Sequence, residues 1–119
     1  MSNLDSRLDA LHRRYHAALP IKRVEIETAW QTLRADFGNI DSHAALAKRV
    51  HRLAGSAASY GYAEVGKAAA AADSVLDRIR DLENPVDRSR MAHDLFEALQ
   101  AAVEKLDEAM RLAVNTRQP

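Results

Sequence analysis

The chain has 119 residues, no cysteine, and a formal net charge of zero from 17 basic and 17 acidic side chains. That length makes one domain able to bury a core without staples, and the absence of cysteine excludes a disulfide framework or a thiolate metal site. Charge balance argues against nucleic acid as the main partner, and no run is apolar enough to span a membrane.

Met1-Ser2-Asn3-Leu4-Asp5-Ser6-Arg7 lacks the apolar centre of a signal peptide, so a cytoplasmic location is expected. A first helix starting almost at Met1 suggests a stand-alone protein. Helix formers dominate, while aromatic and β-branched residues are scarce, which predicts an all-α fold. Leu4, Leu8, Leu11 and Tyr15 form a first stripe, a short helix over about 4–18 that ends before Pro20. Pro20 suits the first turn of a second helix, striped by Ile26, Trp30, Leu33 and Phe37 and stopped at Gly38-Asn39. Asp41 or Ser42 can cap a third helix, which runs to about Tyr60 and ends at Gly61. The fourth carries Val65, Ala69, Ala72, Leu76 and Ile79 and ends near Glu83-Asn84-Pro85. Asp87 or Ser89 opens the fifth, with Leu95, Leu99, Ala102, Leu106 and Ala113 on one face. Short connections favour antiparallel neighbours. The expected architecture is an antiparallel up-down-up-down four-helix bundle over about 20–115, with the short N-terminal helix packed across one end. Residues Asn115 to Pro119 are expected to fray.

The most informative helix is the third. Leu46, Val50, Leu53, Ala57 and Tyr60 recur at helical spacing and must face the core. At about 100° per residue, His51 points roughly 140° from the centre of that stripe. Around it lie Ala44, Ala47, Lys48, Ala54, Gly55 and Ala58, of which only Lys48 is long. Outward helix faces normally carry Glu, Lys, Arg and Gln. A bare face with one imidazole suits a surface against which another protein lies. Arg49 and Arg52 make its surroundings positive. Gly55, inside the helix, costs about 1 kcal/mol relative to alanine. Either close approach by a partner or close packing of another helix of the same chain would explain it.

His51-Arg52-Leu53-Ala54-Gly55-Ser56-Ala57, followed by Gly61, resembles the signature of histidine-containing phosphotransfer (HPt) domains. Val65, Ala69, Ala72 and Asp73 resemble that family's small and apolar positions ending in an acidic residue. The resemblance covers nearly the whole chain. It implies that His51 is the phosphoacceptor in a phosphorelay, exchanging a phosphoryl group with the aspartates of response-regulator receiver domains. It implies docking over Ala44, Ala47, Ala54, Gly55 and Ala58. The implied partners are receivers and, as a second candidate, a hybrid histidine kinase. No cofactor is expected on this chain; Mg²⁺ belongs to the receiver. A monomer is expected. Ala54 departs from the pattern, since the family usually has a lysine there that helps hold the phosphoryl oxygens. Lys48 or Arg52 is the candidate substitute.

Other motifs carry less. Gly61 to Ala68 nearly spells a P-loop, but Ala68 stands where a Mg²⁺-binding hydroxyl is needed and no strand is expected before it. The domain is therefore expected not to phosphorylate itself from ATP. His12 and His16 have metal-ligand spacing without an evident third ligand, so no metal is expected. His43 and His93 read as structural or exposed, and Trp30 and Phe37 as core. Two competing functions remain: a docking module that binds a receiver or kinase without taking phosphate, and a helical dimerisation domain associating through its alanine-rich faces. An independent enzyme is not expected, because no nucleophile–base pair or cofactor box stands out.

Overall fold

The computed structural model describes residues 3–82 and 85–115, with side-chain detail resuming at residue 92 in the second segment. Among them all regular structure is helical. The helices are α1 (Asn3–Ala35), α2 (Ile40–Ser56), α3 (Ala63–Arg80) and α4 (Pro85–Asn115), with a 3-10 turn at Ala58–Tyr60 between α2 and α3. Helix α1 packs on α2 and α4, and α3 packs on the same two, so the four close a ring around one core. The core joins Leu19, Trp30 and Leu33 of α1 to Leu46, Val50 and Leu53 of α2, Val65, Ala69, Ala72 and Leu76 of α3, and Leu99, Val103, Leu106 and Met110 of α4. Each fully buried leucine contributes ~1.5–3 kcal/mol. On α4, Val103 and Met110 join Leu99 and Leu106 in the core, whereas Ala102 and Ala113 are half-buried beside them.

The expected break at Pro20 does not occur: α1 is one helix of 33 residues with the proline inside it. Proline there forfeits one backbone hydrogen bond and crowds the preceding turn, a penalty of ~3 kcal/mol. Anchoring on both sides offsets it. Tyr15 and Leu19 are buried before the proline and Ile26 after it, in one core, while Pro20 itself faces solvent. Arg23 Nε donates to Asp107 Oδ1 of α4 at 2.7 Å, fixing the helix three residues beyond the proline. No separate first helix packs across the bundle end. Leu4, Leu8 and Leu11 lie on the surface of α1 instead.

Helix α2 is capped by Asn39, whose side chain accepts from the Ser42 N–H at 3.0 Å, rather than by Asp41 or Ser42. The same Asn39 thus closes the loop after α1 and opens α2. Helix α4 starts at Pro85, ahead of Asp87 and Ser89. The side chains of Asp87 and Ser89, and residues Glu83, Asn84 and 116–119, lie outside the described residues. Helix α3 stops at Arg80, with the Asp81 N–H bonded back to the Asp77 carbonyl at 3.0 Å.

Candidate functional site

Helix α2 turns Leu46, Val50 and Leu53 inward, and Ala57 just beyond it is fully buried. Burial of that stripe leaves the side chain of His51 78% exposed. Helix α3 approaches from the adjacent side because its contact positions are Gly66, Ala69 and Ala72, all buried. That close approach brings Asp73, next in sequence to Ala72, up to the imidazole. His51 Nδ1 lies 2.9 Å from Asp73 Oδ2. An ionised carboxylate only accepts, so Nδ1–H is the donor. In the neutral ring Nε2 then keeps its lone pair. The hydrogen bond from Asp73 and its negative charge raise the His51 pKa above its ordinary value; slight desolvation opposes this and the more distant Asp77 adds to it.

Ala44, Gly55 and Ala58 are exposed, while Ala47 and Ala54 sit half-buried against the core. A Cβ added at Gly55 would meet nothing within 4 Å, so close packing within the chain does not explain this glycine. Gly66 is the contrast. It is buried where α3 packs on the 3-10 turn, and a Cβ there would meet the backbone nitrogen of Ala58 in ordinary contact at 3.5 Å. Gly61 ends that turn at φ +90°, where its N–H bonds to the Ala58 carbonyl at 3.1 Å.

The candidate cations separate. Lys48 is exposed and makes no ion pair among the described residues. Arg52 is also exposed but lines a groove between α1 and α2 with Lys22, Glu25 and Arg49. Arg49 pairs with Glu25. Asp73 enters the site as the partner of His51, a role that its place in the sequence, 22 residues away, did not indicate. The only signal was its match to an acidic family position.

The remaining histidines have local partners. His12 meets the Tyr60 ring edge-on at 5.5 Å, and His16 Nδ1 lies 2.7 Å from the Tyr62 hydroxyl. His43 Nε2–H donates to the Leu76 carbonyl at 2.9 Å, tying the start of α2 to α3. His93 lies 3.3 Å from Glu97 on the surface of α4. Among the described residues no three or more His, Asp and Glu side chains gather as metal ligands would. The near-P-loop lies across the turn into α3, where Lys67 reaches Glu64 at 3.5 Å. No described helix is long and apolar enough to cross a membrane.

The family model described as Hpt domain matches residues 6–109, nearly the whole chain. Comparison with the curated proteins and with the solved structures found no match.

Proposed function

The chain belongs to the Hpt domain family, and on that premise we propose that it is a phosphorelay intermediate carrying a phosphoryl group on His51 between the aspartates of receiver domains. The observation that carries this reading is the exposed imidazole, held through Nδ1 by Asp73 and set beside an open Gly55. Nε2 attacks the phosphorus of a receiver's aspartyl phosphate. The Nε2–P bond forms as the P–O bond to the aspartyl group breaks, and the aspartate leaves as a carboxylate. Transfer onward reverses these roles. Such transfer depends mainly on in-line placement and charge neutralisation. The receiver brings Mg²⁺, which neutralises phosphoryl charge. This chain contributes the nucleophile, its orientation by Asp73, and a face free of long side chains at Ala44, Gly55 and Ala58.

Lys48 is the better candidate for the cation that the family usually places at the position of Ala54. It lies one turn before His51 and has no competing ion pair, whereas Arg52 leans along the α1–α2 groove. The antiparallel up-down-up-down run of the helices, a monomeric state and a cytoplasmic location belong to the same reading. Short connections and the ring of helix contacts support the first.

Label transfer from a panel of phosphorylated receiver domains tests the proposal. Wild type should take an acid-labile, alkali-stable label, and His51→Gln should take none. Lys48→Ala should shorten the lifetime of the phosphohistidine or slow its formation; unchanged kinetics would remove Lys48 from the site. A second reading, docking without phosphate transfer, is favoured by Ala54 alone. It predicts a wild type that binds a receiver tightly and stays unlabelled, with binding and signalling surviving in His51→Gln.

A further inference from the structure

Beside the bare face, α1 and α2 enclose a groove of about 350 Å³. Its floor is apolar, formed by Ile26 and Leu53, which are 5% and 3% exposed. Its walls carry Lys22, Arg49 and Arg52 against a single carboxylate, Glu25, and that carboxylate is committed to Arg49. The groove walls therefore carry two more cations than carboxylates, in a chain whose net charge is zero. Lys22 is held in place, with Nζ 4.0 Å from the centre of the Tyr15 ring; partial burial disfavours its charged form and the Glu25 carboxylate favours it. Tyr15 is in turn fixed by a 2.8 Å hydrogen bond to Ser56, which also lines the groove. On the other side of His51 stands Asp73 of α3, hydrogen-bonded to the ring at 2.9 Å, while Asp77 beyond it is paired with Arg80 at 3.2 Å.

We propose that the α1–α2 groove receives an acidic segment of the partner receiver domain and sets the orientation in which that receiver meets His51. This rests on the phosphocarrier reading and adds to it the chemistry of the partner surface. A carboxylate-bearing loop would meet the excess positive charge of Lys22 and Arg52, while its apolar side chains would cover Ile26 and Leu53. A receiver docked half a turn round would place its carboxylates against Asp73, which costs binding energy. Opposed charge on the two flanks thus selects one pose among those that the smooth alanine face permits.

The test separates docking from chemistry by using His51→Gln as the parent, so that phosphoryl contacts do not contribute. The receiver that transfers label fastest to wild type is titrated calorimetrically, without phosphate, into the parent and into the parent bearing Lys22→Glu and Arg52→Glu. The double change should weaken binding about tenfold at low salt, and the difference should shrink as salt screens it. Lys105→Glu, the same charge change on the exposed face of α4, should alter binding less than about twofold. The neutral pair Lys22→Gln and Arg52→Gln should fall between, and serves if the reversed charges disturb the fold. If wild type takes label while both groove variants bind like the Lys105 control, the groove assignment is overturned and the carrier reading stands. If no receiver labels wild type, the carrier reading falls and this inference with it.

Discussion

The inward face of α2 places Leu46, Val50 and Leu53 at no more than 3% exposure, whereas its outward face leaves Ala44, His51 and Gly55 open to solvent. Both faces are poor in charge, for different reasons. Inward, charge is excluded by the cost of desolvation, and each side chain meets a partner in the same chain. Outward, water is present and long polar side chains would be stable, so their absence has no explanation in the stability of the monomer. The two glycines make the same contrast. Gly66 is buried with Ala58 in contact range, and Gly55 is exposed with nothing near it. A face that stays bare without an internal reason is the mark of an external one.

This contrast can be broken by changing one face at a time. Leu53→Ala should lower unfolding free energy by about 3 kcal/mol through lost burial and an unfilled cavity. Chemical denaturation would measure it, and the transfer rate per folded molecule should be nearly unchanged. Gly55→Gln should do the opposite. Glutamine gains about 0.5–1 kcal/mol of helix propensity over glycine, so the midpoint of unfolding should rise. Receiver-dependent labelling should nonetheless slow about tenfold, as a long side chain obstructs docking. A Gly55→Gln protein that is both more stable and fully active would mean that the bare face is not the docking surface.

Asp73→Asn gives the smallest effect and sharpens the comparison at the junction of the faces. In wild type the folded-state pKa of His51 is raised, chiefly by Asp73. The pair therefore contributes stability below the ordinary histidine pKa, and the contribution is lost as pH rises through the raised value. Attack requires the neutral ring, so labelling should increase with pH through that same raised value. Asp73→Asn should move the midpoint of the rate profile to lower pH. It should also slow transfer modestly at high pH, because an amide orients the ring less firmly than a carboxylate. A profile with an unmoved midpoint would show that Asp73 does not govern the ring.

The facing of α2 was legible in sequence because both signals there are local, although Asn39 caps it and it ends at Ser56 rather than near Tyr60. The stripe at Leu46, Val50, Leu53 and Ala57 fixes the inward direction, and counting about 100° per residue from it places His51 outward. Asp73 was not legible as its partner. The contact depends on how closely α3 approaches α2, and that distance is set by packing at Ala69 and Ala72 rather than by any spacing within one helix. The continuous α1 was misread for a related reason. Pro20 carries a strong local preference against a helix interior, but Leu19 and Ile26 are buried in one core and keep the segment helical across it. Local rules read correctly where the answer is local, and tertiary anchoring overrode them where several residues share one site of burial.

Trp30, the only tryptophan, is 3% exposed and packs 5.6 Å from the Phe96 ring between α1 and α4. The ring thus lies on the pairing of the two longest helices, whereas His51 is on α2. Intrinsic fluorescence therefore supplies a built-in optical gauge of the closed ring that the docking chemistry leaves dark. Emission should shift to the red when α1 separates from α4 and stay constant while a receiver lacking tryptophan comes and goes. One unlabelled sample can then report folding and, by gel, phosphate occupancy through two channels that do not interfere.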